Sequence, residues 1–213
     1  MIRSITQAKP PEELIALLEG LESLFVVGCG TCTTLTNTGG VEQVQDMRRW
    51  LLEQGKVVTG SCVVPVACDE LSPEILAEHG EALDLAQALV VMTCAYGVQT
   101  LASRGRMVVP ALNTLFIGKE SVSGRFEEVC RQCGQCIIGE TGGICPVTAC
   151  HKGLVNGPCG GTNAGKCEID SATDCAWSLI YRRLSELGRL ELMRRYQPPR
   201  NHNAEPRPGR WQP

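Results

Sequence analysis

Residues 24–34 read LFVVGCGTCTT. Four apolar residues run without a polar break from Leu24 to Val27 and stop at Gly28, the mark of a short strand buried on both faces. A C-x2-C pair, Cys29 and Cys32, follows at once. Outward from this strand the pattern alternates. Residues 40–53 place Val41, Val44, Met47 and Leu51 on one face of a helix. Residues 56–58 and 63–66 are strand candidates parted by the breaker Gly60. Ser72-Pro73-Glu74 reads as a helix start, with a capping hydroxyl, a proline at the first helical position and an acid in the first turn. Residues 89–92 make a second buried strand, 98–103 a short helix, and 107–109 a closing strand. Strands alternating with helices predict a Rossmann-like α/β domain over residues 1–122, a parallel sheet with helices on its faces.

The chain has 213 residues, a net charge of −3, three each of Trp, Tyr and Phe, and 13 cysteines. A slightly acidic chain lacks the general attraction to phosphate on which nucleic-acid binders rely, and so few aromatics offer no base-stacking surface. No window approaches the ~18 apolar residues of a membrane span, so no membrane insertion is expected. The opening residues, MIRSITQAKPPEEL, show no basic-then-apolar leader, and a cytoplasmic location is expected. That compartment keeps thiols reduced, so the cysteines are not a disulfide framework. Metal or iron–sulfur ligation is the leading explanation for them.

The cysteines fall into two sets. Cys29, Cys32, Cys62, Cys68 and Cys94 lie among the alternating strands and helices. Cys29 and Cys32 follow the first strand, Cys68 follows the strand at 63–66, and Cys94 follows the strand at 89–92. In a parallel sheet all four fall outside the carboxyl ends of the strands, where open α/β sheets place ligands. Four thiols distant in sequence can meet there and hold one four-iron cluster. Gly28, Gly30 and Gly97 would let the backbone approach it. Cys62 is the alternate ligand to Cys68, set aside because it lies near the start of its strand. Zinc, or ordinary packed thiols, are the competing explanations.

The second set is Cys130, Cys133, Cys136, Cys145, Cys150, Cys159, Cys167 and Cys175. It belongs to a cysteine-rich, ferredoxin-like cluster domain over residues 123–175, rich in glycine and poor in large apolar side chains. Backbone ordering costs about 1–2 kcal/mol per residue, which such sparse burial does not offset, so metal–thiolate bonds are expected to hold the segment together. Cys130-x2-Cys133-x2-Cys136 is the ferredoxin triplet, and Cys145-Pro146 echoes the cysteine–proline that ends such runs, although eight residues part Cys136 from Cys145. The count matches two four-iron clusters, three in the chain as a whole. It equally matches two four-cysteine zinc sites, and His151 beside Cys150 leans slightly toward zinc. The pairing within the eight is left open.

Residues 176–213 form a C-terminal helix and an extended arm. Residues 176–196 carry an apolar stripe of Leu179, Leu184, Leu187, Leu190 and Met193, and QPPRNHNAEPRPGRWQP follows, ending near the lone Trp211. This region holds eight Arg against three acids. No catalytic residue stands out: the glycine strings lack the context of a dinucleotide fingerprint, and neither His79 nor His202 pairs with a thiol.

Several strings together resemble a known family: GCGTC through GG (28–40), ACDE (67–70), VMTCAYGVQT (91–100), PALNTLFIG (110–118), CRQCGQCIIGETGGICPVTACHKGLVNGPCGG (130–161), GKCE (165–168) and DCAW (174–177). They are similar to the methylenetetrahydrofolate reductase C-terminal family, the MetV-type iron–sulfur or zinc subunit of bacterial reductases. Members often carry a further cysteine four residues after the C-x2-C. Here that place is Thr36, so the first cluster has to draw on Cys68 and Cys94. The resemblance implies one-carbon metabolism of the Wood–Ljungdahl kind. It also implies a partner, a flavin-bearing TIM-barrel subunit that reduces 5,10-methylenetetrahydrofolate to 5-methyltetrahydrofolate, with the flavin there and not here. This chain would relay electrons to that flavin from a ferredoxin or a larger iron–sulfur complex through [4Fe–4S] clusters, or would brace the assembly through zinc without a redox role. The Arg-rich helix and arm are the candidate docking surface.

Overall fold

The apolar run at residues 24–27 becomes the middle of β2 (Ser23–Cys29), and its four side chains are fully buried. They divide by parity, as strand geometry requires. Leu24 and Val26 face a core with Val44, Leu51, Val90 and Met92, while Phe25 and Val27 face a second core with Leu76, Leu83, Leu89 and Leu101. A strand sealed on both faces needs no polar alternation, which is why the sequence there is uniformly apolar. The computed structural model describes residues 1–102 and 106–199 and divides into two units, Met1–Glu127 and Glu128–Pro213.

In the first unit, β2 pairs in parallel with β3 (Val57–Val64) and β4 (Ala88–Met92), and β4 with β5 (Met107–Pro110), giving the order β3-β2-β4-β5. The helices of the unit are α1 (Pro11–Leu17), α2 (Cys32–Leu35), α3 (Val41–Glu53), α4 (Ser72–Ala77), α5 (Gly80–Asp84) and α6 (Ala95–Ala102). On α3, Val44 and Leu51 are buried and Met47 packs beside them, whereas Val41 at its first turn is exposed.

Three details depart from expectation. The two strand candidates flanking Gly60 are one strand, β3. A Cβ at Gly60 would stand 2.6 Å from Cε2 of the fully buried Phe25, so the glycine makes room for that ring rather than ending the strand. The register slips there, with Leu24 opposite Val58 and Phe25 opposite Gly60. Ser72 is the first residue of α4 rather than its cap, Leu71 takes the cap position, and the Ser72 hydroxyl donates to the Val66 carbonyl. The predicted helix at 98–103 starts earlier, at Ala95, and its last residue lies outside the described residues.

A second sheet was absent from the sequence reading. β1 (Ile2–Ala8), β6 (Leu112–Val122) and β7 (Arg125–Glu127) form an antiparallel sheet in the order β1-β6-β7, pairing Ile2 with Lys119 and Ala8 with Leu112. The buried face of β1 carries Ser4 and Thr6. A strand whose buried residues are hydroxylic shows no hydrophobic alternation to read.

The second unit has little regular structure: two 3-10 turns at Ile138–Glu140 and Leu190–Arg194, a single turn α7 (Pro146–Ala149), and α8 (Ala176–Glu186). Its core is Trp177, Ile180, Leu184 and Leu192, with Ile144, Leu154, Cys150 and Cys175 packed around them. In residues 128–175 only Thr141 and Pro146 are buried. The helix expected to run to residue 196 ends ten residues sooner. Gly188 adopts φ +66 and the Arg189 amide turns back to the Leu184 carbonyl at 2.8 Å, a glycine-ended C-terminus, leaving Leu187 exposed. Gln197 and Asn156 exchange hydrogen bonds of 2.7 and 2.8 Å at the start of the expected arm. The rest of that arm, with His202 and Trp211, lies outside the described residues. No helix among the described residues is long and apolar enough to cross a membrane.

Candidate functional site

From β2 the chain passes to β3 on one side of the sheet and then back across to β4 on the other. The crevice between the carboxyl ends of β2 and β4 is therefore a topological switch point, the position where open α/β sheets receive ligands. Cys29 is the last residue of β2, Cys32 opens α2, and Cys94 lies directly before α6. Cys68 follows the end of β3 by four residues. Two glycines let these loops close on one another: a Cβ at Gly97 would sit 2.7 Å from the Ala67 Cβ, and one at Gly30 would sit 3.0 Å from the Pro65 carbonyl oxygen. These close approaches join the loops that carry the cysteines.

The four thiols share one electrostatic neighbourhood. The Cys68 thiol is pushed up from its ordinary value by partial desolvation, then by the charges of Cys94 and Cys29, with Cys32 adding to them and its own backbone acting in the opposite sense. Such repulsion requires proximity. The Cys29 sulfur accepts the Ala67 amide at 3.4 Å and lies 3.1 Å from the Thr31 hydroxyl. Cys62 stands apart. It is opposite Val27 in the sheet, packs on the Phe25 core, and burial raises its thiol to about 11. Because β3 is one strand, Cys62 lies near its carboxyl end rather than its start, and what separates it from Cys68 is the direction of its side chain.

In the second unit, Cys150, Cys159, Cys167 and Cys175 line one small pocket, with Lys152 and Glu168 in its wall. Cys175 is the N-terminal cap of α8. Partial burial acts to raise its thiol, but the Ser178 amide and hydroxyl, the Trp177 amide and the Thr162 hydroxyl outweigh this and hold it below its usual range. A thiolate at a helix N-terminus is stabilised in this way. Cys159 accepts the Gly161 amide at 3.4 Å and donates to Glu168 Oε1 at 3.3 Å. Glu168 is paired with Lys152, and that pairing is the first cause of its lowered carboxyl and of the raised Lys152 ammonium. Neither charged residue was singled out from the sequence; they lie sixteen positions apart with no local pattern joining them.

The remaining four cysteines are placed differently. Cys130, Cys133 and Cys136 lie on an irregular segment in which the Cys130 sulfur accepts the Gln132 amide at 3.4 Å. Cys136 lines a groove with Ile137, Val155 and Gln197, and Cys145 caps α7. His151 faces Asp170, 4.0 Å from its carboxylate. Among the described residues, no group of three or more His, Cys, Asp or Glu stands at the spacing that could hold a single metal ion. Tetrahedral zinc, with bonds of ~2.3 Å, draws its sulfurs to within ~3.8 Å of one another. A four-iron cube spreads its thiolates over its corners and needs a wider ring. Amide-to-sulfur hydrogen bonds at Cys29, Cys130 and Cys159 are the donors expected around either centre.

Sheet, switch point and thiols define a class: an α/β unit with four cysteines gathered at its strand ends, joined to a unit that carries eight more. Residues 109–203 match the family model described as methylene-tetrahydrofolate reductase C terminal, a stretch that contains all eight. That match bears out the resemblance for the strings from residue 110 onward and relates this part of the chain to methylenetetrahydrofolate reductase, within one-carbon oxidoreductase chemistry; the strings at 28–40, 67–70 and 91–100 lie outside it. No curated protein and no solved structure matches the chain.

Proposed function

We propose that this chain is the electron-transfer subunit of a methylenetetrahydrofolate reductase assembly, with [4Fe–4S] clusters as its cofactors. The observation that carries this is the placement of Cys29, Cys32, Cys68 and Cys94 on the loops at the carboxyl ends of β2, β3 and β4, where the Ala67 amide beside Cys68 meets the Cys29 sulfur at 3.4 Å and Cys68 feels the charges of the other three. Bound clusters would supply one-electron carriers between an iron–sulfur donor and a flavin. The chain's own part is to hold the thiols. Cys29 and Cys94 are fixed by β2 and β4, Cys32 by α2, which it opens directly after β2, and Cys68 by the Ala67 loop. In the second unit Cys150, Cys159, Cys167 and Cys175 form one candidate set by their common pocket, which leaves Cys130, Cys133, Cys136 and Cys145 as the other. The partner is a flavin-bearing subunit that adds a pair of electrons and protons to 5,10-methylenetetrahydrofolate, giving 5-methyltetrahydrofolate. No folate or flavin site is assigned to this chain.

A second reading has its own support. The pocket of Cys150, Cys159, Cys167 and Cys175 is small and built from short loops around a helix N-terminus, a setting that suits structural zinc once the sulfurs draw together. Metal analysis of anaerobically purified chain, with EPR after dithionite reduction, separates the two. Iron with matching sulfide and a reduced-state signal is expected. Zinc alone, with no iron and no signal, refutes the relay and leaves a structural module of the same assembly.

A further inference from the structure

Beyond the last ladder pair, Gly28 with Met92, β2 and β4 have no backbone bonds to keep their ends together. The next residues are the ones that bear thiols, Cys29 on one strand and Cys94 two positions past the other. Thr33, with no exposed surface, fills this gap. Its hydroxyl lies 3.2 Å from the Cys29 carbonyl oxygen and 3.2 Å from the Met92 carbonyl oxygen, one donor shared between two strand ends. The neighbouring Thr34 hydroxyl donates to the same Cys29 carbonyl at 2.6 Å. Gly39 closes the junction from above: its carbonyl accepts the Cys29 amide at 3.1 Å, and its amide reaches the Thr33 carbonyl at 3.0 Å. A Cβ on Gly39 would stand 2.0 Å from the Met92 oxygen and 2.7 Å from the Thr33 hydroxyl, so the backbones meet there at closest approach.

The antiparallel sheet braces the same loops through hydroxyls. Thr6 and Thr38 are joined at 2.7 Å, and Thr36, bonded to Thr38, ties back to the Cys32 carbonyl at 2.9 Å. On β6, Thr114 accepts the amide of Ala95, the residue after Cys94, at 2.8 Å. An ordinary buried threonine satisfies its hydroxyl on one local carbonyl. Thr33 instead spans two strands whose next side chains face the same crevice.

We infer that Thr33 is a positioning residue that sets the gap between the Cys29 and Cys94 thiols, and that the threonine cluster around it holds the thiol-bearing loops in register. The inference rests on the proposed cluster site and deepens it. It is tested on the full chain, reconstituted anaerobically with iron and sulfide, as Thr33→Val, Thr33→Ser and Gly39→Ala beside the unsubstituted chain. Thr33→Val keeps the shape of the side chain and removes the shared donor. It is expected to lose about four iron atoms per chain, or to shift the reduced-state EPR spectrum, while far-UV circular dichroism is retained. Thr33→Ser is expected to restore both. Gly39→Ala keeps the hydroxyl but forces the Met92 end outward, and its expected loss matches that of Thr33→Val; it decides the matter should the valine variant not fold. Full iron and an unchanged spectrum in Thr33→Val or Gly39→Ala, or equal loss in Thr33→Ser, overturns the clamp and leaves the cluster reading standing. Absence of iron from the unsubstituted chain overturns that reading and the clamp with it.

Discussion

Cys62 offers a test of the site that needs no metal. Its thiol is raised from an ordinary 9.0 to about 11 because it is packed beside Phe25, Val27 and Val64 in the core of the sheet. A thiol two pH units above its ordinary value carries ~100-fold less thiolate near neutrality, and alkylating reagents react with the thiolate. The experiment is iodoacetamide labelling of the folded chain from pH 7 to 11, stopped in acid and read peptide by peptide, with the urea-unfolded chain as reference. At pH 8 Cys62 is expected to label about 100-fold more slowly than in the unfolded chain, its rate climbing ~tenfold per pH unit toward pH 11. The linkage has a definite sign. A folded-state value above the unfolded one means the protonated thiol favours the fold, so this contribution is intact below about pH 9 and is lost as the pH rises from there through about 11. A profile that levels off near pH 9, or equal rates in folded and unfolded chain at pH 8, would show Cys62 at the surface. It would then compete with Cys68 for the cluster.

Further expectations follow from particular contacts. Cys68 is exposed, so Cys68→Ser should leave the melting temperature nearly unchanged yet remove about four iron atoms per chain; retained iron counts against its place in the site. Gly60→Ala pushes a methyl into the Phe25 ring and should cost about 1–3 kcal/mol in urea denaturation at constant slope, whereas an unchanged midpoint means the ring has room to move. Cys167→Ser removes one wall of the four-thiol pocket. Metal content should fall and residues 128–175, almost devoid of buried side chains, should become sensitive to limited proteolysis. Equal protease resistance with and without the substitution would show that the segment does not depend on that thiol.

The legibility of this chain followed burial. Strands β2 and β4 were readable because both faces are sealed and every residue from Leu24 to Val27 and from Leu89 to Met92 is apolar. β1 was not, because its buried residues are the hydroxylic Ser4 and Thr6, and what Thr6 contributes is a hydrogen bond to Thr38, thirty-two positions along the chain. Gly60 was misread as a breaker for a related reason. A glycine placed to admit a ring from the neighbouring strand looks, in one dimension, the same as a glycine that ends a strand. The C-terminal helix was overextended because the leucine stripe continues past Gly188 in the sequence while the backbone turns away at a positive φ.

The cysteines show the same division most sharply. Sequence alone determined which residues are the candidates for the chemistry: twelve of the thirteen thiols with Cys62 as alternate, the C-x2-C after a buried strand, the C-x2-C-x2-C triplet, and strings specific enough to suggest a family. It could do so because ligand identity is a property of side-chain type and local spacing. Which thiols stand together was decided by the tertiary structure. A crossing at the β2–β4 switch point brings residues 29, 32, 68 and 94 to one crevice and turns Cys62 inward, and the loops around α8 assign 150, 159, 167 and 175 to one pocket. The physical reason is that proximity between distant thiols depends on strand order and loop closure, which are set by burial across the whole unit and leave no trace in the residues beside each cysteine.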